Sequence, residues 1–567
     1  MPRSPPAPTR APSLALAAAA LCVVATLATA APSMPATATT TSAIENALEQ
    51  LPGPVASRTQ PTRGVARVRA DVTALYAARG YRPAWHDAGG ATPGAIAVLA
   101  ALRSAANKGL DARDYDGLAL TYRLLELPLT GGDRAPWPEW DVAVSRALAR
   151  YLQDLHFGRI EPAALGLDLV VDPARIDLAA ALAAIATTDD LAGEIARVEP
   201  GFRHYRLLQA ALVRYRELAA EPALGPLPPL PKRTLEPGDA WDGAAPLAQR
   251  LAALGDLGDA PGSVGIDGRY DAALAAAVQR FQRRHGLEAD GRLGRGTLAA
   301  LEVPLARRVR QIELTLERWR WLPPRIDAPP ILVNIPAFRL YAFETGDDDE
   351  TRMLRMNVIV GQVFKDLHTP VFSANMTHVI FNPYWDVPRS IARKELLPDI
   401  ARRPGYMERN HFEIVGGQSD DSPVLAPTAA NLAAVASGQA RLRQRPGDDN
   451  ALGRVKFMLP NPHNVYLHDT PAKTLFTRAK RAFSHGCIRV GDPAALAVHV
   501  LSSLPEWNRE RIEAAMHGEA PLRVNLPRPI PVFVVYGTAL AATDGVYFFE
   551  DLYGHDARLD AALGRAR

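Results

Sequence analysis

Apolar positions along this chain change their spacing twice. From Ala66 to about Ala220 they recur every three or four residues, as in Val72, Leu75 and Tyr76, in Val142, Ala147, Leu148, Tyr151, Leu152 and Leu155, and in Leu207, Leu208, Ala211, Leu212 and Tyr215. That period predicts a helical domain over 66–220. Residues 221–240 carry proline at 222, 226, 228, 229, 231 and 237, a composition that favours an extended linker. Helical spacing returns over 241–302, where Leu247, Leu251 and Leu254 face Leu274, Val278 and Phe281 and three short helices fit. Gly255 and Gly286 suit the stops of two of them. A connector helix is expected over 303–329, with Val309, Ile312, Leu314 and Leu316 ahead of Trp319 and Trp321.

Beyond Pro330 the texture becomes that of strands. Residues 331–335, 338–343, 356–360 and 378–381 are runs of β-branched, aromatic and aliphatic residues. Residues 330–545 therefore read as a β-rich domain, with 546–567 as a C-terminal tail. A long charged stretch at about 392–455 interrupts that domain, with Gly416-Gly417 and Pro446-Gly447 as candidate hinges. Insertions of this size beside a catalytic site are often lids, and a fixed helical subdomain is the alternative. The whole is a multidomain α+β protein, in keeping with 567 residues.

The first thirty residues change the picture of where the protein works. Arg3 and Arg10 precede an apolar run from Leu14, and Ala28-Thr29-Ala30 is a small-x-small site, so 1–30 reads as an export signal. Residues 31–65, rich in Ala, Thr and Pro at their start, read as a flexible leader. Cleaved, the signal releases the body outside the cytoplasm; uncleaved, it anchors it there. No later segment is long and apolar enough to span a bilayer. The formal net charge of +3 is small for this length and its basic residues are scattered, so nucleic acid is not expected as a partner.

Export makes the cysteine count informative. The chain has two cysteines, and Cys22 lies inside the signal. Cys487 then has no intramolecular partner for a disulfide, and a lone thiol in an oxidising compartment calls for a chemical reason. A nucleophile is that reason. It needs a base or positive charge nearby, since a free thiol has a pKa of about 8.5. Two histidines qualify. His485 is two positions away, on the same face of an extended segment. His468 ends the alternating run Val465-Tyr466-Leu467-His468, and a hairpin-like return through 469–483 would bring it beside Cys487. The Gly486 and Cys487 amides are candidate oxyanion donors. Asp492-Pro493 starts a helix just after the motif, so the thiol sits near a helix N-terminus. His463, His468 and Asp469 lack a His-Glu-x-x-His arrangement, and no metal ligand is assigned.

Two runs of residues carry a resemblance. Ala277-Val278, Phe281-Gln282, His285-Gly286-Leu287 and Asp290-Gly291 resemble the peptidoglycan-binding three-helix module. His468, fifteen residues, then Ser484-His485-Gly486-Cys487 and an apolar residue resembles the signature of the L,D-transpeptidase catalytic domain. Asn382-Pro383-Tyr384-Trp385, Arg445-Pro446-Gly447 and Lys456-Phe457 agree with it. Together they resemble the large periplasmic members, which join a helical scaffold, this module and the catalytic domain. Arg489 departs from smaller members, which often carry Asn there.

The resemblance implies that Cys487 attacks the carbonyl of the third stem residue of a donor tetrapeptide and releases terminal D-alanine. It implies that His468 is the base, held by the Asp469 carbonyl, and that His485 and Gly486 shape the oxyanion site. An acceptor stem's amine would then resolve the thioester into a 3→3 cross-link, with no cofactor. Arg489, Ser484, Tyr466 and Trp385 are candidate substrate contacts, Arg489 because guanidinium suits carboxylates. Carbapenems are expected to acylate Cys487, and cell-wall synthesis proteins are expected partners. A hydrolytic L,D-carboxypeptidase and a non-catalytic wall-binding protein remain as alternatives.

Overall fold

The computed structural model describes residues 38–51, 62–128, 136–169, 176–221, 224–258, 267–326, 328–346, 350–364, 367–417, 419 and 422–565. The expected export signal and Cys22 lie outside them. Among the described residues, no helix is long and apolar enough to cross a membrane.

The architecture is multidomain α+β. Helices from Thr62–Ala78 to Arg203–Ala220 make up the N-terminal domain. Its core gathers the predicted apolar positions, among them Val72, Leu75, Tyr76, Leu148, Tyr151 and Leu155. The expected leader is in part a correction, because Ala38–Glu49 is a helix whose Ile44, Ala47 and Leu48 join that core. Ile44, Ala47 and Leu48 follow a helical period that the overall composition hides.

Residues 241–302 fold as three helices, Ala244–Leu254, Ala272–Arg284 and Arg295–Leu301. Both predicted stripes are buried in one core, which also takes Tyr205, Leu208 and Leu212 from the last scaffold helix and Ile312 and Leu316 from the helix Leu305–Trp319. The proline-rich segment is not a free spacer. Leu227 is buried in the same core, and the carbonyls of Leu224 and Gly225 accept hydrogen bonds from the Arg250 guanidinium at 3.0 and 2.6 Å.

The C-terminal domain is built on one sheet. Its strands are β1 (Ile331–Asn334), β2 (Arg339–Phe343), β3 (Met353–Gly361), β4 (Phe372–Phe381), β5 (Val455–Met458), β6 (Leu467–His468), β7 (Ala482–Ser484), β8 (Ile488–Val490) and β9 (Leu522–Val535). They run in the order β7-β3-β8-β6-β5-β4-β9-β1-β2, and β2 pairs again with β3, which closes the sheet on itself. Inward residues such as Val333, Val358, Phe457, Leu467, Ile488 and Val490 fill the interior. Closure leaves few free edges and fixes register strongly, because a one-residue slip would turn every apolar side chain outward.

Two boundaries need correction. The insertion is a small mixed unit rather than a helical one, and it spans 385–444. Its strands Trp385–Asp386, Phe412–Val415, Val424–Leu425 and Arg441–Gln444 form a separate sheet with its own core around Phe412, Ile414 and Leu442. Val455 already belongs to the main sheet. The expected tail is folded too. Gly545–Phe548 closes a hairpin with Ala539–Ala542, and the helix His555–Arg565 buries Leu559 and Leu563 in the catalytic core.

Candidate active site

Register brings the chemistry together. Strands β6 and β8 lie side by side and parallel, with Leu467 opposite Ile488 and His468 opposite Arg489. The expected hairpin return is therefore a crossover instead, through the short helix Lys473–Thr477 and β7. Leu467 and Ile488 point into the core, so Tyr466, His468, Cys487 and Arg489 share the other face. His468 and Cys487 are diagonal neighbours on it, a separation of about 7–8 Å between backbones that long side chains span.

The His468 ring is locked. It is 4% exposed, and its Nδ1 donates to the Asp469 carbonyl at 2.5 Å. That bond leaves Nε2 as the ring's acceptor nitrogen. Asp469 is itself anchored, since its carboxylate accepts from the amides of Arg454 and Thr470 at 2.8 and 2.7 Å and from the Lys473 ammonium. Gly453, at φ 60°, lies so close that a β-carbon there would sit 2.4 Å from that carboxylate. Burial, with the charges of Arg489 and Lys456 added, pulls the His468 pKa down to about 3. The ring is neutral at physiological pH.

The Cys487 thiol is free and half-buried. Its Sγ points to the Asn464 carbonyl at 3.8 Å. Burial pushes its pKa up, against donation from the Tyr466 amide and hydroxyl and the charges of Lys456 and Arg489. Among the described residues, no hydrogen bond joins the sulfur to the His468 ring, so the resting site holds a neutral thiol near a neutral imidazole. The Tyr466 ring packs edge-on to His468 at 5.7 Å and carries the Lys456 ammonium 3.9 Å from its centre. A turn places Asn464: the Asn461 amide reaches Val465 O at 2.7 Å, and Asn464 takes φ 53°.

Other expected roles shift. The Gly486 amide donates to the Ser484 hydroxyl at 3.1 Å, so it is not available to an oxyanion. Ser484 is buried and its hydroxyl donates to Cys487 O at 2.6 Å, which makes it part of the loop's own frame rather than a free substrate contact. The Cys487 amide, by contrast, has no partner among the described residues. Gly486 sits at φ 118° with its carbonyl bound by Thr369 Oγ1 at 2.8 Å, a backbone shape that a β-carbon would strain. His485 turns away from the thiol toward the insertion, where its Nε2 meets Glu395 Oε1 at 2.7 Å. Trp385 packs on the insertion's core beside Phe412. His463 pairs instead with Asp168 of the scaffold.

Among the described residues the buried Nε of Arg489 has no hydrogen-bond partner, and burial lowers its pKa. A cation held unpaired beside the thiol is ready for an anionic group. Lys456, Asn464 and Thr369 were not legible as site residues, because each acts through a turn or a cross-strand register that spacing alone does not specify. Thr369 is in turn held by the C-terminal segment: the Tyr553 hydroxyl accepts from its amide at 3.3 Å and donates to Gly361 O at 2.6 Å.

A helical scaffold, a three-helix module and a closed sheet bearing a free thiol beside a carbonyl-locked imidazole define a multidomain chain with a candidate cysteine–histidine site. Residues 329–511 match the family described as "L,D-transpeptidase catalytic domain", residues 245–301 match "Putative peptidoglycan binding domain", and residues 70–212 match "Scaffold domain". Residues 329–511 are therefore similar to the L,D-transpeptidase catalytic domain. It is 31% identical over 233 residues to a Haemophilus influenzae protein named "Putative L,D-transpeptidase". That similarity covers 41% of this chain and 45% of the relative, so the chain spans less than half the length of the protein it matches.

Proposed function

We propose that the protein is an exported peptidoglycan L,D-transpeptidase that forms 3→3 cross-links. The observation that carries this reading is the shared face of β6 and β8, with His468 locked by the Asp469 carbonyl, Cys487 diagonal to it, and Arg489 unpaired beside both. A donor stem places the carbonyl of its third residue at Cys487 with a carboxylate on Arg489. The thiol rotates away from Asn464, Sγ bonds to that carbonyl carbon, and its proton passes to His468 Nε2. The Cys487 amide takes the developing oxyanion. Collapse breaks the amide bond, the His468 proton leaves with the D-alanine amine, and a thioester remains. The amine of an acceptor stem then attacks the thioester, gives its proton to His468 and regenerates the thiol.

Water in place of that amine would make the enzyme an L,D-carboxypeptidase. The test is mass spectrometry of muropeptides after incubation with tetrapeptide-rich sacculi. Dimers whose donor has lost its fourth residue support transfer; trimmed monomers alone support hydrolysis; unchanged sacculi contradict both and leave a wall-binding protein. By the same chemistry, carbapenems acylate Cys487.

A further inference from the structure

A large cavity lies away from the thiol, between the three-helix module, the helix Leu305–Trp319 and the β2–β3 part of the sheet. It encloses about 1560 Å³. Ten Arg or Lys and seven Asp or Glu line it, and the pairing among them leaves the cations in excess. Every lining carboxylate is engaged. Asp256 holds Arg284, Asp560 holds Arg310, and Asp556 holds Arg318. Glu550 holds Lys480, while Glu350, Asp544 and Asp551 accept from hydroxyl groups.

The remaining arginines are bonded to no carboxylate among the described residues, although the Glu288 charge acts on Arg481. Arg283, Arg307, Arg339 and Arg355 form no ion pair among the described residues. Arg308 bonds only to Gln311 and the Ala300 carbonyl, with the Phe548 ring 4.9 Å away. Arg481 bonds to backbone carbonyls and to the Asn357 amide oxygen at 3.3 Å. Three of these cations crowd one another. Arg339 and Arg355 lie on one face of adjacent strands, where Tyr341 opposes Arg355 and Arg339 opposes Asn357. Burial first, and then the Arg355 charge, lowers the Arg339 pKa; burial and the Arg339 charge bring Arg481 down to about 10. Cations held this way are relieved by a bound anion, and the aromatic lining of Phe338, Tyr341 and Tyr547 suits a ligand with apolar or sugar faces.

The cavity also joins two functions. Arg283 lies in the last turn of the module's second helix, and Glu288 just after that helix accepts the Ala479 amide at 2.8 Å. Ala479 and Arg481 lead directly into β7 and the Cys487 loop. We infer that this cavity is a second binding site, for a peptide bearing at least two carboxylates, which docks on Arg283, Arg339 and Arg355 while the Cys487 groove works on another. The inference rests on the peptidoglycan reading, which makes a stem peptide of the strand gripped by the module the natural occupant.

The test uses the full chain carrying Cys487→Ala and, as probe, a synthetic tripeptide stem of L-alanine, D-glutamate and a diamino acid, measured by calorimetry. Binding is expected to weaken at least about tenfold in Arg339→Gln/Arg355→Gln, to weaken with added salt, and to be lost with a probe whose carboxylates are amidated. Arg283→Gln, on an exposed side chain of the module, is expected to weaken it about threefold and checks the result without touching the sheet. Equal binding in all variants, equal binding of the amidated probe, loss only in Arg489→Gln, or no binding to the parent chain would overturn the inference. Acylation of Cys487 in the unmodified chain is read separately, so failure of the second site and failure of the transpeptidase reading give different results.

Discussion

The candidate catalytic face is held in two different ways. His468 and Arg489 sit on paired strands of a closed sheet with Cys487 immediately before one of them, and hydrogen-bond ladders fix the two strands. The insertion meets the same site through Glu395 on His485, both at least partly exposed to solvent. Groups of the first kind are buried or half-buried, shifted in pKa and costly to misplace. The pair of the second kind is surface-borne, and such pairs contribute about 0–1 kcal/mol. The candidate site therefore has a sheet-held floor and a wall that meets it through a weak contact, an arrangement that suits the polymeric substrate proposed above.

Breaking the floor gives the largest effects. Replacing His468 with Asn is expected to lower acylation by about 10²–10⁴-fold, since the substitution removes the base while keeping a polar side chain. A loss below tenfold, measured by the rate of adduct formation, would place the base elsewhere. Gly453→Ala comes next. Its β-carbon would collide with the Asp469 carboxylate at a position with φ 60°, so a loss of about 2–4 kcal/mol in unfolding free energy is expected from denaturant titration, together with slower acylation. An unchanged midpoint would show that Asp469 moves freely.

The sheet-held groups also set the response to pH. His468 has a folded pKa near 3 and an ordinary unfolded value near 6.5, so the unfolded chain binds the extra proton first. Stability is then full above about pH 6.5 and falls as pH drops from there toward 3, by up to about 5 kcal/mol from this group. Thermal melts that stay level across that range would contradict the buried neutral ring. The raised thiol pKa predicts that alkylation of Cys487 by iodoacetamide keeps rising above the ordinary thiol range. A rate that levels off below pH 7 would instead mean a preformed thiolate–imidazolium pair.

The insertion-held pair should matter least. Glu395→Gln is expected to change stability by less than about 1 kcal/mol and to act on KM for sacculi more than on the rate of thiol acylation. A large loss in acylation rate would move the insertion into the rigid group.

What could be read from the chain divides along the same line. Periodicity placed the scaffold helices, the two stripes of the module and the strand-rich domain, because burial imposes a period directly on the residues. The spacing from His468 to Cys487 pointed to a candidate pair, and the short, adjacent strands β6 and β8 place the two on one face. The loop's internal bonding was not legible. Nothing in Ser484-His485-Gly486 says that Ser484 uses up the Gly486 amide, or that His485 turns outward to a glutamate ninety positions earlier. The folded helix at 38–49 and the packed proline-rich segment were hidden for a related reason. Their compositions favour loose chain, and only tertiary partners such as Arg250 decide otherwise.

Everything chemical above depends on Cys487 becoming covalently bound to the stem it cuts. Intact-mass spectrometry of the folded chain, quenched during turnover with a tetrapeptide stem ending in D-alanine, measures this directly. The expected spectrum shows one adduct with the mass of the stem less its terminal alanine, mapped to Cys487 and absent from Cys487→Ala. An unmodified thiol while sacculi are being remodelled, or an adduct on any other residue, would contradict it.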